Sequence, residues 1–234
     1  MTTAAHTLVD LSHAIEHGVV YYKGLPAPVI CDYLSREDSR ARYEPGTEFQ
    51  IGRVELITNT GTYIDCPFHR YADGRDTASM PLERFVDQPT IVVRATVRDG
   101  REVDVEALSA QISSRDVRGK AVLVHTGWDA HWGTDAYFEG HPYLTEQAAI
   151  WLRDAGAVLV GIDSFNIDNV DGGTRPVHSV LLREEILIAE HLCNLQLLPE
   201  SGFTFTAVPP KLVGVGTFPV RAFATVPYAS RTLA

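Results

Sequence analysis

The feature that most constrains this fold is the succession of strand, helix and strand across residues 121–163. Ala121-Val122-Leu123-Val124-His125-Thr126 is an almost unbroken apolar run, the composition of a strand covered on both faces, and it stops at Gly127-Trp128. Thr145 then stands where a helix N-cap belongs. Ala148, Trp151, Leu152 and Ala155 fall on one helical face, and Gly156 supplies the stop. Residues 157–163 form a second buried-type run. Strands joined through a helix pair in parallel, because a tight hairpin can join only antiparallel neighbours. The chain is therefore expected to be α/β.

Other elements extend this frame. Leu8-Val9-Asp10-Leu11-Ser12 reads as an opening strand, residues 90–97 as a β-branched strand, and residues 203–208 and 220–225 as closing strands. Asp104 can cap a helix carrying Val105, Leu108 and Ile112. Residues 49–57 alternate Phe49, Ile51, Val54 and Leu56 with polar residues, which predicts a half-buried strand. Residues 35–45 are charged and fit a solvated connector or an oligomer contact, and residues 129–142 form a long aperiodic excursion.

At 234 residues, with 45% hydrophobic and 21% charged residues, the sequence fits a single domain spanning residues 1–234. A net charge of −10 argues against nucleic acid or anionic membrane as a partner, since both need a concentrated basic surface. Three cysteines without C-x-x-C spacing fit a reducing compartment, and residues 1–6 carry no basic, apolar leader, so a cytoplasmic location is expected. No window approaches the ~20 apolar residues of a membrane span.

Chemistry concentrates in Asn59-Thr60-Gly61-Thr62-Tyr63-Ile64-Asp65-Cys66-Pro67-Phe68-His69. The composition suits an extended segment entering a turn, so Asn59, Tyr63 and Asp65 would share one side with Gly61 leaving it open between them. His69, past the turn at Pro67, could swing toward the same point. The bland alternative is a polar hairpin with a solvated histidine. Residues 164–169 follow the carboxyl end of a strand, where open α/β sheets place ligand loops. Glu190 ends the apolar run Ile186-Leu187-Ile188-Ala189, a position costly for a carboxylate unless a cation or donors meet it. Tyr21 and Tyr22 lie in a turn-rich loop and are candidates for a substrate wall, or else ordinary half-buried tyrosines. His13, His17, His125, His131, His141 and His191 are read as surface or satisfied core histidines. Cys66 would turn away from Asp65, and no G-x-S-x-G elbow supports a Ser164-His-Asp168 triad.

Asn59-x-Gly61-Thr62-Tyr63-x-Asp65-x-Pro67-x-His69 resembles the H-x-G-T-H-x-D-x-P-x-H signature of the cyclase family, which includes bacterial kynurenine formamidases and isatin hydrolase. The resemblance continues through Thr126-Gly127-Trp128, His141-Pro142, Gly161-Ile162-Asp163, His178, Glu190-His191-Leu192 and Val220-Arg221-Ala222. It implies a swivelling β/β/α fold, a mixed sheet with flanking helices. It also implies hydrolysis of an amide-type C–N bond, in a formamide or cyclic amide of a small and sometimes aromatic substrate. The implied cofactor is a divalent metal, zinc or manganese, and the implied assembly a homo-oligomer, dimer or tetramer. On the same resemblance Asp65, His178 and Glu190 are metal ligands and His69 is the catalytic acid/base.

Two positions depart from the signature. Asn59 and Tyr63 stand where the pattern has histidines, and an amide oxygen or a neutral phenol is a poorer zinc ligand than imidazole. Either one metal remains on Asp65, His178 and Glu190 while Asn59 and Tyr63 contact substrate, or the chain is a metal-free small-molecule binder that lost the chemistry.

Overall fold

The computed structural model describes residues 6–95 and 100–228. Its strands in chain order are β1 (His6–Asp10), β2 (Val29–Leu34), β3 (Ile51–Glu55), β4 (Tyr63–Asp65), β5 (Gln88–Arg94), β6 (Glu102–Val103) and β7 (Ala121–His125). They continue with β8 (Tyr143–Leu144), β9 (Leu159–Ile162), β10 (Leu187–Glu190), β11 (Ser201–Thr206), β12 (Thr217–Pro219) and β13 (Phe223–Pro227). The α-helices are α1 (Arg36–Arg40), α2 (Val105–Ser109), α3 (Ser114–Val117), α4 (Glu146–Ala155) and α5 (Pro176–Arg183).

The expected crossover is present: β7 and β9 pair in parallel from Ala121 opposite Leu159, with α4 between them. Thr145 accepts a hydrogen bond from Ala148 N, and Gly156 closes α4 in the left-handed region. A second crossover, which the sequence did not announce, runs β9–α5–β10 and is also parallel. The main sheet has the order β1-β13-β11-β5-β7-β9-β10-β4-β12, with β5, β7, β9 and β10 as a parallel centre and antiparallel flanks. Alternation along the central strands divides the core. Val122, Val124, Val160 and Ile188 pack under the helices, while Leu123, Leu159, Leu187 and Ala189 face the other side with Phe203, Phe205 and Leu11. The result is the mixed-sheet α/β fold that the sequence implied.

Residues 49–57 behave otherwise. The strand β3 is shorter than expected, pairs with β2 in a two-stranded ribbon, and is exposed at all five positions instead of half-buried. The alternation is real, but no element among the described residues covers the apolar side. Tyr33, Phe49, Ile51 and Val54 are consequently exposed. Asp104 caps α2 as expected, through Ala107 N. The strand expected over 90–97 is realised as β5, and Thr96 and Val97 lie outside the described residues. No helix among the described residues is long and apolar enough to cross a membrane.

Candidate active site

Strands β10, β4 and β12 build the floor of the site. Glu190 lies directly opposite Tyr63, and Thr217 directly opposite Asp65. Opposed residues project to the same face, and Tyr63 and Asp65 are two apart, so all four side chains share one face. The Tyr63 hydroxyl donates to Glu190 Oε2, and the Thr217 hydroxyl donates to Asp65 Oδ1. Glu190 Oε1 accepts from Ile167 N at 2.6 Å. Asp65 Oδ2 is buried and has no hydrogen-bond partner among the described residues.

Helix α5 brings His178 to that oxygen. Pro176 opens the helix, and the orphan N–H groups of Val177 and His178 both donate to the Asp168 carboxylate, at 2.8 and 3.0 Å. Asp168 Oδ2 also stands 2.6 Å from His178 Nδ1, which fixes the ring and presents Nε2 to Asp65 Oδ2 at 3.6 Å and to Glu190 Oε1 at 4.0 Å. His69 arrives from the 3₁₀ turn Pro67–His69, its Nε2 3.9 Å from Asp65 Oδ1 and its side chain one-third exposed. Gly216 lets the chain pass behind this turn, since a Cβ there would sit 2.2 Å from His69 N.

The electrostatics follow from burial and pairing. Burial alone would raise Asp65, but the neighbouring His69 and His178 outweigh it and hold the carboxyl below its ordinary range. Burial alone would lower His178; Asp168 and Asp65 reverse that and carry it up to about 10. Burial pushes the Glu190 carboxyl up, against the pull of His178. Burial and the Glu190 charge raise the Tyr63 phenol well above its usual value, so it stays protonated and donating. Burial lifts the Cys66 thiol to about 12, which removes it as a nucleophile.

Tyr63, His178 and Glu190 line a cavity of ≈ 200 Å³ whose walls also include Tyr22, Asn59 and His69. Asn59 is a hydrogen-bonding neighbour of the Tyr63 hydroxyl. Tyr21, expected beside Tyr22 as a wall, does not line the cavity. Its hydroxyl accepts from Glu16 N at 2.6 Å and donates to Ala14 O at 3.2 Å, and its ring stacks near Trp132. Adjacent side chains leave the backbone in different directions, so the wall keeps one tyrosine of the two.

The donor set fits a divalent metal. Asp65, His69 and His178 each offer a ligand atom within 4.8 Å of the others, and Asp65 Oδ2, without a hydrogen bond among the described residues and 3.6 Å from His178 Nε2, has an acceptor site to give to a cation. Glu190 is not one of that trio: its Oε2 accepts from the Tyr63 phenol and its Oε1 from Ile167 N, but Oε1 still lies 4.0 Å from His178 Nε2, next to the trio. A second group, His125, Asp129 and Asp163, is a structural knot. Asp163 accepts from Thr126 N, Thr126 Oγ1 and Gly127 N, and the Arg94 guanidinium lies 3.2 Å from His125 Nδ1.

The Cyclase family model matches residues 9–169. The chain belongs to the Cyclase family. Similar curated proteins include the kynurenine formamidase of Salinibacter ruber, 29% identical over 92% of this chain and 95% of that one. The kynurenine formamidase of Erythrobacter litoralis is 30% identical over 74% and 75%. Among solved structures, an isatin hydrolase bound to the product analogue thioisatinate superposes with a TM-score of 0.78 at 24% identity, covering 95% of this chain and 93% of that chain. Isatin hydrolase A from Ralstonia solanacearum gives 0.78 at 23% identity, over 94% and 92%. Family membership puts the chain among amidohydrolases.

Within the family frame, sequence reasoning missed five contributors. Asp168, which the sequence offers as part of the ligand loop 164–169 and as an unsupported triad member, positions His178; Ser164 donates to Pro142 O and takes no part. Thr217 lies on the unannounced strand β12. Asn166, Arg70 and Arg175 line the cavity. The one signal available was the position of residues 164–169 after β9, which does bring Asn166 and Asp168 to the site.

Proposed function

We propose that this chain hydrolyses an amide-type C–N bond, a formamide or cyclic amide, in a small substrate. It would use one divalent metal, zinc or manganese, on Asp65, His178 and Glu190. The observation that carries this reading is Asp65 Oδ2, buried without a partner 3.6 Å from an imidazole nitrogen that Asp168 holds in place. When bound there, such a metal lowers the pKa of water and polarises a carbonyl. His69, at the solvent-facing side of the floor, takes a proton from the attacking water and delivers it to the departing nitrogen as the C–N bond breaks. Asp168 keeps the His178 ring oriented, and Tyr22, Asn59 and Tyr63 line the pocket as substrate contacts.

The assay is metal-supplemented turnover of formyl-anilides, cyclic imides and lactones. Hydrolysis lost in Asp65→Ala and His178→Ala is expected; no hydrolysis with either metal contradicts the reading. His69→Ala should lose turnover and keep metal, whereas loss of metal as well would make His69 a ligand, as its place in the trio allows. A metal-free binding role is the second reading, and the Tyr63–Glu190 hydrogen bond favours it, because it occupies an oxygen that a cation would use.

The same proposal covers a single-domain, cytoplasmic homo-oligomer, a dimer or tetramer. The exposed apolar ribbon of β2 and β3 supports assembly, since an isolated two-stranded hairpin is marginal in water. Light scattering that found only monomer would contradict it.

A further inference from the structure

Two guanidinium groups border the catalytic cavity, and neither has a carboxylate partner among the described residues. The chain has 30 acidic and 20 basic residues, yet Glu190 is the one carboxylate among the residues lining this cavity, beside the imidazoles of His69 and His178. Arg175 is held by the carbonyls of Asn169, Gly172 and Thr174, at 3.2, 2.8 and 2.7 Å, all through Nη1. That leaves its second terminal nitrogen outside this clamp, on a half-buried and preorganised group that also hydrogen-bonds the Tyr22 phenol at the cavity wall. Arg70 donates through Nε to Ser179 Oγ at 3.1 Å and lies 5.3 Å over the Tyr71 ring. Both terminal nitrogens of Arg70 stay free of protein acceptors among the described residues. The two arginines also line an adjoining depression with Thr174, Ser179 and one carboxylate, Glu146, which makes no ion pair with either arginine among the described residues. A planar, partly desolvated guanidinium recognises a carboxylate by paired hydrogen bonds.

We propose that Arg70 and Arg175 form a carboxylate subsite, so that the preferred substrate is an amide whose leaving or acyl portion carries an acid group. This rests on the amidohydrolase reading only for the word substrate; the subsite itself is a binding claim. It is tested by fluorescence titration of metal-stripped, EDTA-treated protein with 2-aminobenzoate and with its neutral isostere 2-aminobenzamide. The acid should bind about 10- to 100-fold more tightly, the range of one or two charge-assisted hydrogen bonds. Arg70→Gln and Arg175→Gln should each reduce that preference, and the double variant should abolish it. Arg175→Lys, which keeps the charge without the fork, should retain part of it and serves if Arg175→Gln fails to fold. Equal affinity for the two ligands overturns the proposal. So does a preference that survives the double variant, or one that emerges only when Zn²⁺ or Mn²⁺ is added. Turnover of 2-formamidobenzoate against formanilide separates the two claims. Preference in binding without hydrolysis of either leaves the subsite and removes the amidohydrolase, and hydrolysis of both at equal kcat/KM does the reverse.

Discussion

The two ends of β4 carry opposite kinds of residue. At one end Asp65 is buried with an oxygen that no hydrogen bond among the described residues satisfies, facing the His178 ring at 3.6 Å. At the other, Tyr63 is buried with its hydroxyl committed to Glu190 and Asn59, and the ring packs 5.1 Å from His191. One end advertises a missing cation; the other is closed by the protein itself. The difference teaches that ligand capacity is read from what remains unsatisfied, since both ends are equally polar in sequence.

The largest expected effect breaks the open end. Asp65→Asn should remove metal and lower turnover by roughly a thousand-fold or more, because the metal's part in activating water goes with it. Steady-state kinetics alongside metal analysis would check this, and retention of metal with full rate would refute the assignment. Next comes the support behind it. Asp168→Asn leaves the fold's ligands in place but loosens the His178 ring, and should weaken metal affinity by about 10–100-fold in a chelator competition.

The closed end should respond in a different manner. Tyr63→Phe strands Glu190 Oε2 without its donor, which should cost the metal-free protein about 1–3 kcal/mol in denaturant unfolding. The same change frees an oxygen for a cation, so the stabilisation gained on adding metal should increase. A parallel loss in both states would mean that the phenol helps to hold the metal.

The smallest effect concerns the backing of the closed end. Burial depresses His191 to about 3, against 6.5 for the free group. The unfolded chain therefore takes up a proton below 6.5 that the folded one refuses. The stability this represents is whole above pH 6.5 and is lost progressively as pH falls toward 3, with a slope of up to about 1.4 kcal/mol per pH unit. His191→Gln should flatten the stability curve between pH 6.5 and 4; an unchanged slope would assign the acid sensitivity elsewhere, to the half-buried His13, lowered to about 4, or to the buried His141, which burial also lowers.

Legibility in the sequence followed the range of the interactions. The β7–α4–β9 crossover was readable because apolar runs, Thr145 and Gly156 are local signals. The convergence of Tyr63, Asp65 and His69 was readable from alternation and the turn at Pro67. Helix α5 was missed because its first turn is satisfied by Asp168, a remote carboxylate rather than a cap of its own. Three-residue β12, and with it Thr217, carries no periodicity to detect. The ribbon of β2 and β3 has the alternation of a half-buried strand and yet lies exposed, because alternation reports that a face is apolar and not what will cover it.

The measurement closest to the central claim is metal stoichiometry by mass spectrometry, on protein purified without an affinity tag, for the native chain and for Asn59→His/Tyr63→His. One open end and one closed end predict one equivalent per chain in the native protein and two in the double variant. Two equivalents in the native chain, or none after incubation with zinc and with manganese, would contradict the account.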